Sequence, residues 1–275
     1  MTKKNRLQSL AFERRTPVHM TAEISCTYIG HATTVIQIGA STIITDPVFS
    51  EKILFLKRQK PLPMPPQDIP SPDVVLISHI HFDHLDISSF KFISCQVPII
   101  VPEGCERAVG RYLPNPVIEL AAFAGYELKD GTKITAMPSI HRSFRVLPFN
   151  FKTTNSYLLK SPDLEKQILF VGDSAYGTHF SQIGELGKIG VAVIPIGAYE
   201  PSFIMKSRHM TPKEAVQAFK DLGAEHMIAS HHGVFRLSLE NLKAPAARLE
   251  KNISERPDLR ERIHIPDPGD KFSLT

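Results

Sequence analysis

Short β-branched and aliphatic runs, separated by single polar or turn-forming positions, set the rhythm of this chain. Residues 24–29, 34–38 and 42–45 follow one another closely, with Gly30 and Gly39 as punctuation, which predicts an antiparallel meander. It ends at Asp46-Pro47, because proline lacks the N–H that a ladder needs. The continuous run Val74-Val75-Leu76-Ile77 reads as a buried strand. Further strands are expected at 99–101, 116–120, 133–137, 156–159, 167–171, 191–195 and 226–230, with helices at 86–93 and 103–112. Thr211-Pro212-Lys213-Glu214 is a helix start: a capping threonine, a proline at the first helical position and a glutamate three residues beyond the cap. That helix should run to 222, and 239–262 reads as one or two amphipathic helices broken near Pro245 and Pro257. Alternating strands and helices, with several strand pairs joined tightly, fit two sheets in contact with helices outside.

Two intervals depart from the rhythm. Residues 1–22 are basic and weakly patterned, an expected N-terminal arm ahead of a single domain over 23–275. Residues 48–72 join an apolar patch, Phe49 and 53–56, to Lys57-Arg58-Gln59-Lys60 and then to a proline-rich stretch that fixes extended chain. The expectation is a loop that packs its apolar residues inward and caps a site; contact with lipid headgroups is the alternative.

Composition narrows the class. With 42% hydrophobic and 22% charged residues, the 275-residue chain is an ordinary globular protein. A formal charge of +4 slightly favours anionic substrates or an anionic membrane surface, and is too small to argue for nucleic acid. Three widely spaced cysteines read as buried thiols in a reducing compartment. No apolar run reaches the roughly 18 residues of a membrane span, and no secretory core is seen, so a cytoplasmic location is expected. The lipid alternative would place it at the inner face of a membrane. No glycine-rich phosphate loop and no short-period repeat is present.

The chemistry concentrates in His79-Ile80-His81-Phe82-Asp83-His84, directly after the 74–77 strand. Imidazole nitrogen and carboxylate oxygen suit zinc and related divalent ions. His79 and His81, two apart at a strand end, can converge on one ion, whereas the adjacent Asp83 and His84 suit a second. In a chain with twelve histidines, a surface histidine cluster is the plain alternative. His141, Asp173 and His231 each follow another expected strand. Asp46 could hold the second nitrogen of a ligand histidine or merely cap its turn. His31 could touch substrate, His209 could bind phosphate with the helix that starts at Thr211, and His232 could replace its neighbour His231. Tyr199 and Glu200 could line a pocket or serve structure. His19, His179, His226 and His264 lack such context.

The order His-x-His-x-Asp-His, lone histidine, lone aspartate, final histidine resembles the metallo-β-lactamase superfamily. The stretches Tyr28-Ile29-Gly30-His31-Ala32-Thr33, Thr45-Asp46-Pro47-Val48-Phe49-Ser50 and Tyr199-Glu200-Pro201 through His209-Met210-Thr211-Pro212 resemble its N-acyl-phosphatidylethanolamine phospholipase D group. The ascorbate-6-phosphate lactonase group is a neighbour. This resemblance implies an α/β fold, a four-layer αββα sandwich of two mixed β-sheets flanked by helices. It implies one divalent ion held by His79, His81 and His141, another by Asp83, His84 and His231, and Asp173 between them. Zinc is the expected metal, with manganese or iron(II) as substitutes, and a hydroxide shared by the ions is the expected nucleophile, with Asp83 and Asp173 as catalytic residues. The implied reaction is hydrolysis of a lipid-like phosphodiester, phospholipase D type, with a lactonase on a phosphorylated sugar acid as the alternative. A non-catalytic or redox metal module is disfavoured, since all seven ligands are present. The group's tryptophans are missing: Arg142 follows His141 and His232 follows His231, which bears on substrate rather than metal. Expected partners are a small-molecule or lipid substrate and a membrane surface, without nucleic acid; the oligomeric state stays open.

Overall fold

Residues 24–143 and 153–274 are described by the computed structural model, so the arm expected over 1–22 lies outside the described residues. The first half of the chain builds one sheet. β1 (Ile24–Gly30), β2 (Thr33–Ile38) and β3 (Ser41–Thr45) form the antiparallel meander. β4 (Lys52–Ile53) and β5 (Leu56–Lys57) make a small hairpin apart from it. β6 (Val74–Leu76), β7 (Ile99–Pro102) and β8 (Val117–Leu120) then extend the sheet in parallel from β3.

The second half builds the other sheet. β9 (Gly125–Glu127), β10 (Lys133–Pro138), β11 (Asn155–Lys160) and β12 (Gln167–Phe170) pair antiparallel. β13 (Ile189–Pro195), β14 (His226–Ser230) and β15 (Ile263–His264) continue parallel to β12. β16 (Lys271–Leu274) returns to β1, giving the first sheet the order β16-β1-β2-β3-β6-β7-β8.

Packing follows from which faces are apolar. Between the sheets, Ile36, Leu76 and Ile100 meet Tyr157, Phe170 and Val193. On the outer face of the first sheet, α1 (Glu106–Gly110) adds Val109 to a cluster with Ile99, Val101 and Phe90. The second sheet is covered by α2 (His179–Gly184), α4 (Pro212–Asp221), α5 (Ala244–Ile253) and α6 (Pro257–Arg260), while α3 (Ser202–Met205) is a single turn on the surface. Phe180, Phe219, Leu249 and Leu259 lie in one cluster with Ala192, Ile194 and Ala229. Two mixed sheets with helices on both outer faces make the αββα sandwich.

Several elements differ from their sequence expectation for identifiable reasons. The helix expected at 103–112 shortens to α1, because Gly104 takes a left-handed turn (φ 76°) after β7. The stretch around 86–93 is a 3-10 turn, Ile87–Phe92, whose cap Asp86 accepts from the Ser88 N–H. Pro245 opens α5 instead of breaking it, the first turn being where a missing N–H costs nothing. Inward packing of the 48–72 loop holds only in part. Phe49 and Ile53 are buried, but Leu54 and Phe55 at the β4–β5 tip are 64% and 85% exposed. Of its basic cluster, Arg58 is buried and donates to the Val48 and Ser50 carbonyls, and Lys60 pairs with Asp267.

Candidate metal centre

The loops that follow β6, β10, β12 and β14 meet at one end of the sandwich. They bring His79, His81, Asp83, His84, His141, Asp173 and His231 into one buried nest, and β1–β2 and α3–α4 add His31 and His209. Three overlapping groups have donor atoms within 4.8 Å of one another: His79, His81, His141 and Asp173; His31, Asp83, His84 and His231; and Asp173, His209 and His231.

In the first group, His81 Nδ1 lies 2.8 Å from His79 Nε2 and 3.3 Å from His141 Nε2. In the second, Asp83 Oδ2 lies 3.0 Å from His31 Nε2 and 3.4 Å from both His84 Nε2 and His231 Nε2. The Asp173 carboxylate joins them, with Oδ2 at 3.7 Å from His79 Nε2 and 3.3 Å from His84 Nε2, and Oδ1 at 3.4 Å from His231 Nε2.

Ring orientation is fixed from behind. Asp46 accepts from His84 Nδ1 at 2.7 Å, and from the Ser78 N–H and hydroxyl at 2.7 and 2.6 Å. The Ser78 hydroxyl, committed to Asp46, accepts from His79 Nδ1 at 2.9 Å. His141 Nδ1 donates to the Arg208 carbonyl at 2.9 Å. His79 and His141 therefore turn a bare Nε2 toward the nest, the tautomer that coordination needs, and the His84 ring is held with its Nε2 facing the same way. Asp46 thus does hold a nest histidine, whereas nothing in the sequence marked Ser78 or the Arg208 carbonyl.

The backbone is strained here. His31, Asp46 and His231 have φ of 60°, 35° and 58°, a region L-residues seldom occupy. Two glycines allow the close approach. A Cβ on Gly172, which has φ 64°, would overlap the Ser78 side chain, and one on Gly197 would overlap the His231 carbonyl. Gly172→Ala is expected to displace Asp173 and destabilise the protein by about 1–3 kcal/mol, read as a lowered urea midpoint with weakened metal binding. An unchanged midpoint would show that the turn relaxes freely.

Electrostatics test whether these residues fit a cation. Burial, with His231 beside it, pushes His31 down to about 3, and burial pushes His81 to about 4 and His209 to about 3. These rings are neutral bases at neutral pH. Burial alone would raise Asp83 and Asp173, but the surrounding imidazoles, His84 foremost for Asp83 and His231 for Asp173, hold both well below the carboxylate range. His84 goes the other way: burial would lower it, and Asp173, Asp83 and Asp46 outweigh burial and raise it. The nest thus demands positive charge. His84 Nε2, Asp173 Oδ1, His209 Nδ1 and both His231 ring nitrogens are buried without a hydrogen-bond partner among the described residues. Orphaned buried donors and acceptors of this kind are costly unless something binds them, and the set fits divalent metal.

Other candidates fall elsewhere. His209 lies within the nest, 3.7 Å from Asp173, two residues before the Thr211 cap of α4. His232 turns away and stacks on Tyr28, so it does not replace His231. Tyr199 is buried beneath the Arg248 guanidinium, which also pairs with Glu200, so both brace α5 instead of lining the nest. Outside the nest, a cleft of about 500 Å³ beside His141 is lined by Ser139, Ile140, Arg142, Ser207 and Arg208. A second, of about 640 Å³, shares Ser139, His141 and Arg142 and runs past Glu103 and Asn155.

The β-lactamase superfamily domain matches residues 41–232, which hold every nest residue except His31. The chain belongs to the metallo-β-lactamase superfamily. It is a metal-dependent hydrolase of that superfamily, with His/Asp clusters able to bind metal. Among superfamily members, an N-acyl-phosphatidylethanolamine-hydrolyzing phospholipase D of Caenorhabditis elegans is 32% identical over 90% of this chain and 74% of its own length. The mitochondrial enzyme of that description from Saccharomyces cerevisiae is 33% identical over 88% of this chain, which spans only 54% of that relative. A solved structure of a possible metal-dependent hydrolase from Veillonella parvula superposes with a TM-score of 0.76 at 17% identity, covering 92% of this chain and all (100%) of that one, and shows the shared fold.

Proposed function

We propose that the protein is a binuclear, zinc-dependent phosphodiesterase that cleaves a lipid-like phosphodiester. The observation that carries this reading is the Asp173 carboxylate, which sits within 3.7 Å of histidines from both donor groups and so can serve two ions at once. His79, His81 and His141 would hold one ion, and Asp83, His84 and His231 the other. Two such ions supply a nucleophile at neutral pH and neutralise charge growing on the phosphoryl oxygens.

The chain's own groups do the rest. Asp83, tied to His31, and Asp173 aim their carboxylates into the nest, where they would hold the ions and can accept a hydrogen bond that orients an attacking water. His209, kept neutral by burial, can offer only a ring N–H to a substrate oxygen, so it positions and polarises without delivering a proton from an imidazolium. The two clefts that share Ser139, His141 and Arg142 give the alcohol portions of a diester room beside the nest. The phospholipase D names of the relatives support the lipid-like class.

A panel of one chromogenic phosphodiester, one phosphomonoester and several lactones tests the reaction class, with metal content measured on the same preparation. Turnover of the diester is expected, lost on chelation and restored by zinc. Lactone hydrolysis without diester hydrolysis would replace this reading with a carbonyl-directed one.

Lipid contact is part of the proposal, through the β4–β5 tip and not the whole basic run. Leu54 and Phe55 project beside the exposed Lys52 and Lys57. Replacing both apolar residues by serine is expected to weaken binding to phosphatidylglycerol vesicles by at least roughly tenfold, the order set by inserting two apolar side chains. Equal flotation of both proteins would remove the membrane from the account. No helix among the described residues is long and apolar enough to cross a bilayer.

A further inference from the structure

We infer that the cleft beside His141 is an anion pocket, in which Arg142 and Arg208 select a substrate bearing a second negative group next to the bond that is cut. The inference deepens the phosphodiesterase reading and rests on it for the reaction, though not for the binding. Arg142 directly follows His141 and Arg208 directly precedes His209. The rings of those two histidines are 5.0 Å apart between centroids, and His141 Nδ1 is anchored on the Arg208 carbonyl. The short turn that carries Arg208 is held in turn, with the Arg208 and His209 N–H groups both donating to the Met205 carbonyl at 2.8 and 2.9 Å. The backbone that carries Arg208 is thereby held at the rim of the nest, and the exposed Arg142 and Arg208 both line the same cleft of about 500 Å³.

Their side chains have no carboxylate within ion-pair distance and no hydrogen-bond partner among the described residues, although arginines elsewhere do: Arg248 pairs with Glu200, Arg256 with Asp258 and Arg260 with Glu250. Two exposed guanidinium groups on one cleft attract an anion. Their fork of N–H donors matches a carboxylate or phosphate oxygen pair. The adjoining cleft shares Arg142 but also carries Glu103, so the cleft lined by both arginines and no acidic residue is the better place for an anion. The substrate class is therefore a phosphodiester with a carboxylate or phosphate on one alcohol portion, a few bonds from the scissile phosphorus.

A matched pair of esters tests this. p-Nitrophenyl propyl phosphate and p-nitrophenyl carboxyethyl phosphate have the same length and differ only in the terminal anion. The protein with its metals in place is expected to favour the carboxyethyl ester in kcat/KM by roughly tenfold, the scale of a charge-assisted contact partly screened by solvent. Arg142→Gln and Arg208→Gln should each erase most of that preference through KM, leaving the propyl ester within about twofold. Calorimetry with carboxyethylphosphonate against propylphosphonate gives the same comparison without turnover. Loss of the tighter binding of carboxyethylphosphonate in both variants supports the pocket even if neither ester is cleaved, an outcome that would sink the diesterase reading alone. Turnover of both esters without preference, or variants that weaken both phosphonates equally, overturns the anion pocket and leaves the reaction standing.

Discussion

Asp173→Asn is expected to lower hydrolysis by roughly a thousandfold or more while the protein stays folded. The substitution keeps the side chain's volume and removes the charge that three buried imidazoles from two strand-end loops face: His79 and His84 after β6, and His231 after β14. Among the described residues no other carboxylate reaches both donor groups, since Asp83 belongs to the second alone. Losing it should therefore weaken both ions together and remove the transition-state stabilisation they would provide. The paired measurements are kcat/KM on the chromogenic diester and metal content per chain. Near-normal turnover with both ions retained would show that Asp173 merely packs.

Asp46→Ala should act at one remove. It leaves His84 Nδ1 and the Ser78 N–H and hydroxyl without their acceptor, in a place where Asp46 itself is 0% exposed. Two effects follow: the His84 ring loses the bond that fixes its tautomer, and the His79 ring loses its brace through Ser78. Metal affinity is expected to fall by about 10- to 100-fold, the usual cost of removing such support. Competition against a chromogenic chelator measures it, and folding stability should drop in the same variant, because buried donors are orphaned. Unchanged affinity would reduce Asp46 to a turn residue.

Much of this was legible in the residues before any coordinates. Val74-Val75-Leu76 read as a covered strand, and His79 and His81 at its exit could converge, with Asp83 and His84 suited to a second ion. The strand ends before His141, Asp173 and His231 were readable as well, as were two sheets in contact with helices outside, while the four-layer order came from the family resemblance. What stayed hidden was local, or depended on distant partners. Ser78 looks like any serine until Asp46 comes to rest against it. The Arg208 carbonyl leaves no sequence mark, since every residue has one. Tyr199 and Glu200, next to an apolar strand, looked able to face the pocket; Arg248, 48 positions beyond Glu200, captures both. Leu54 and Phe55 read as core residues by type, but a two-residue turn between β4 and β5, with Leu54 at φ 53°, turns them outward.

Whether the nest holds two ions is read most directly by anomalous diffraction from crystals grown without chelators in the presence of zinc. Two peaks are predicted, one beside His79, His81 and His141 and the other beside Asp83, His84 and His231, both within coordinating reach of Asp173. A nest that stays free of any anomalous scatterer under those conditions would contradict the metal-dependent chemistry at its root.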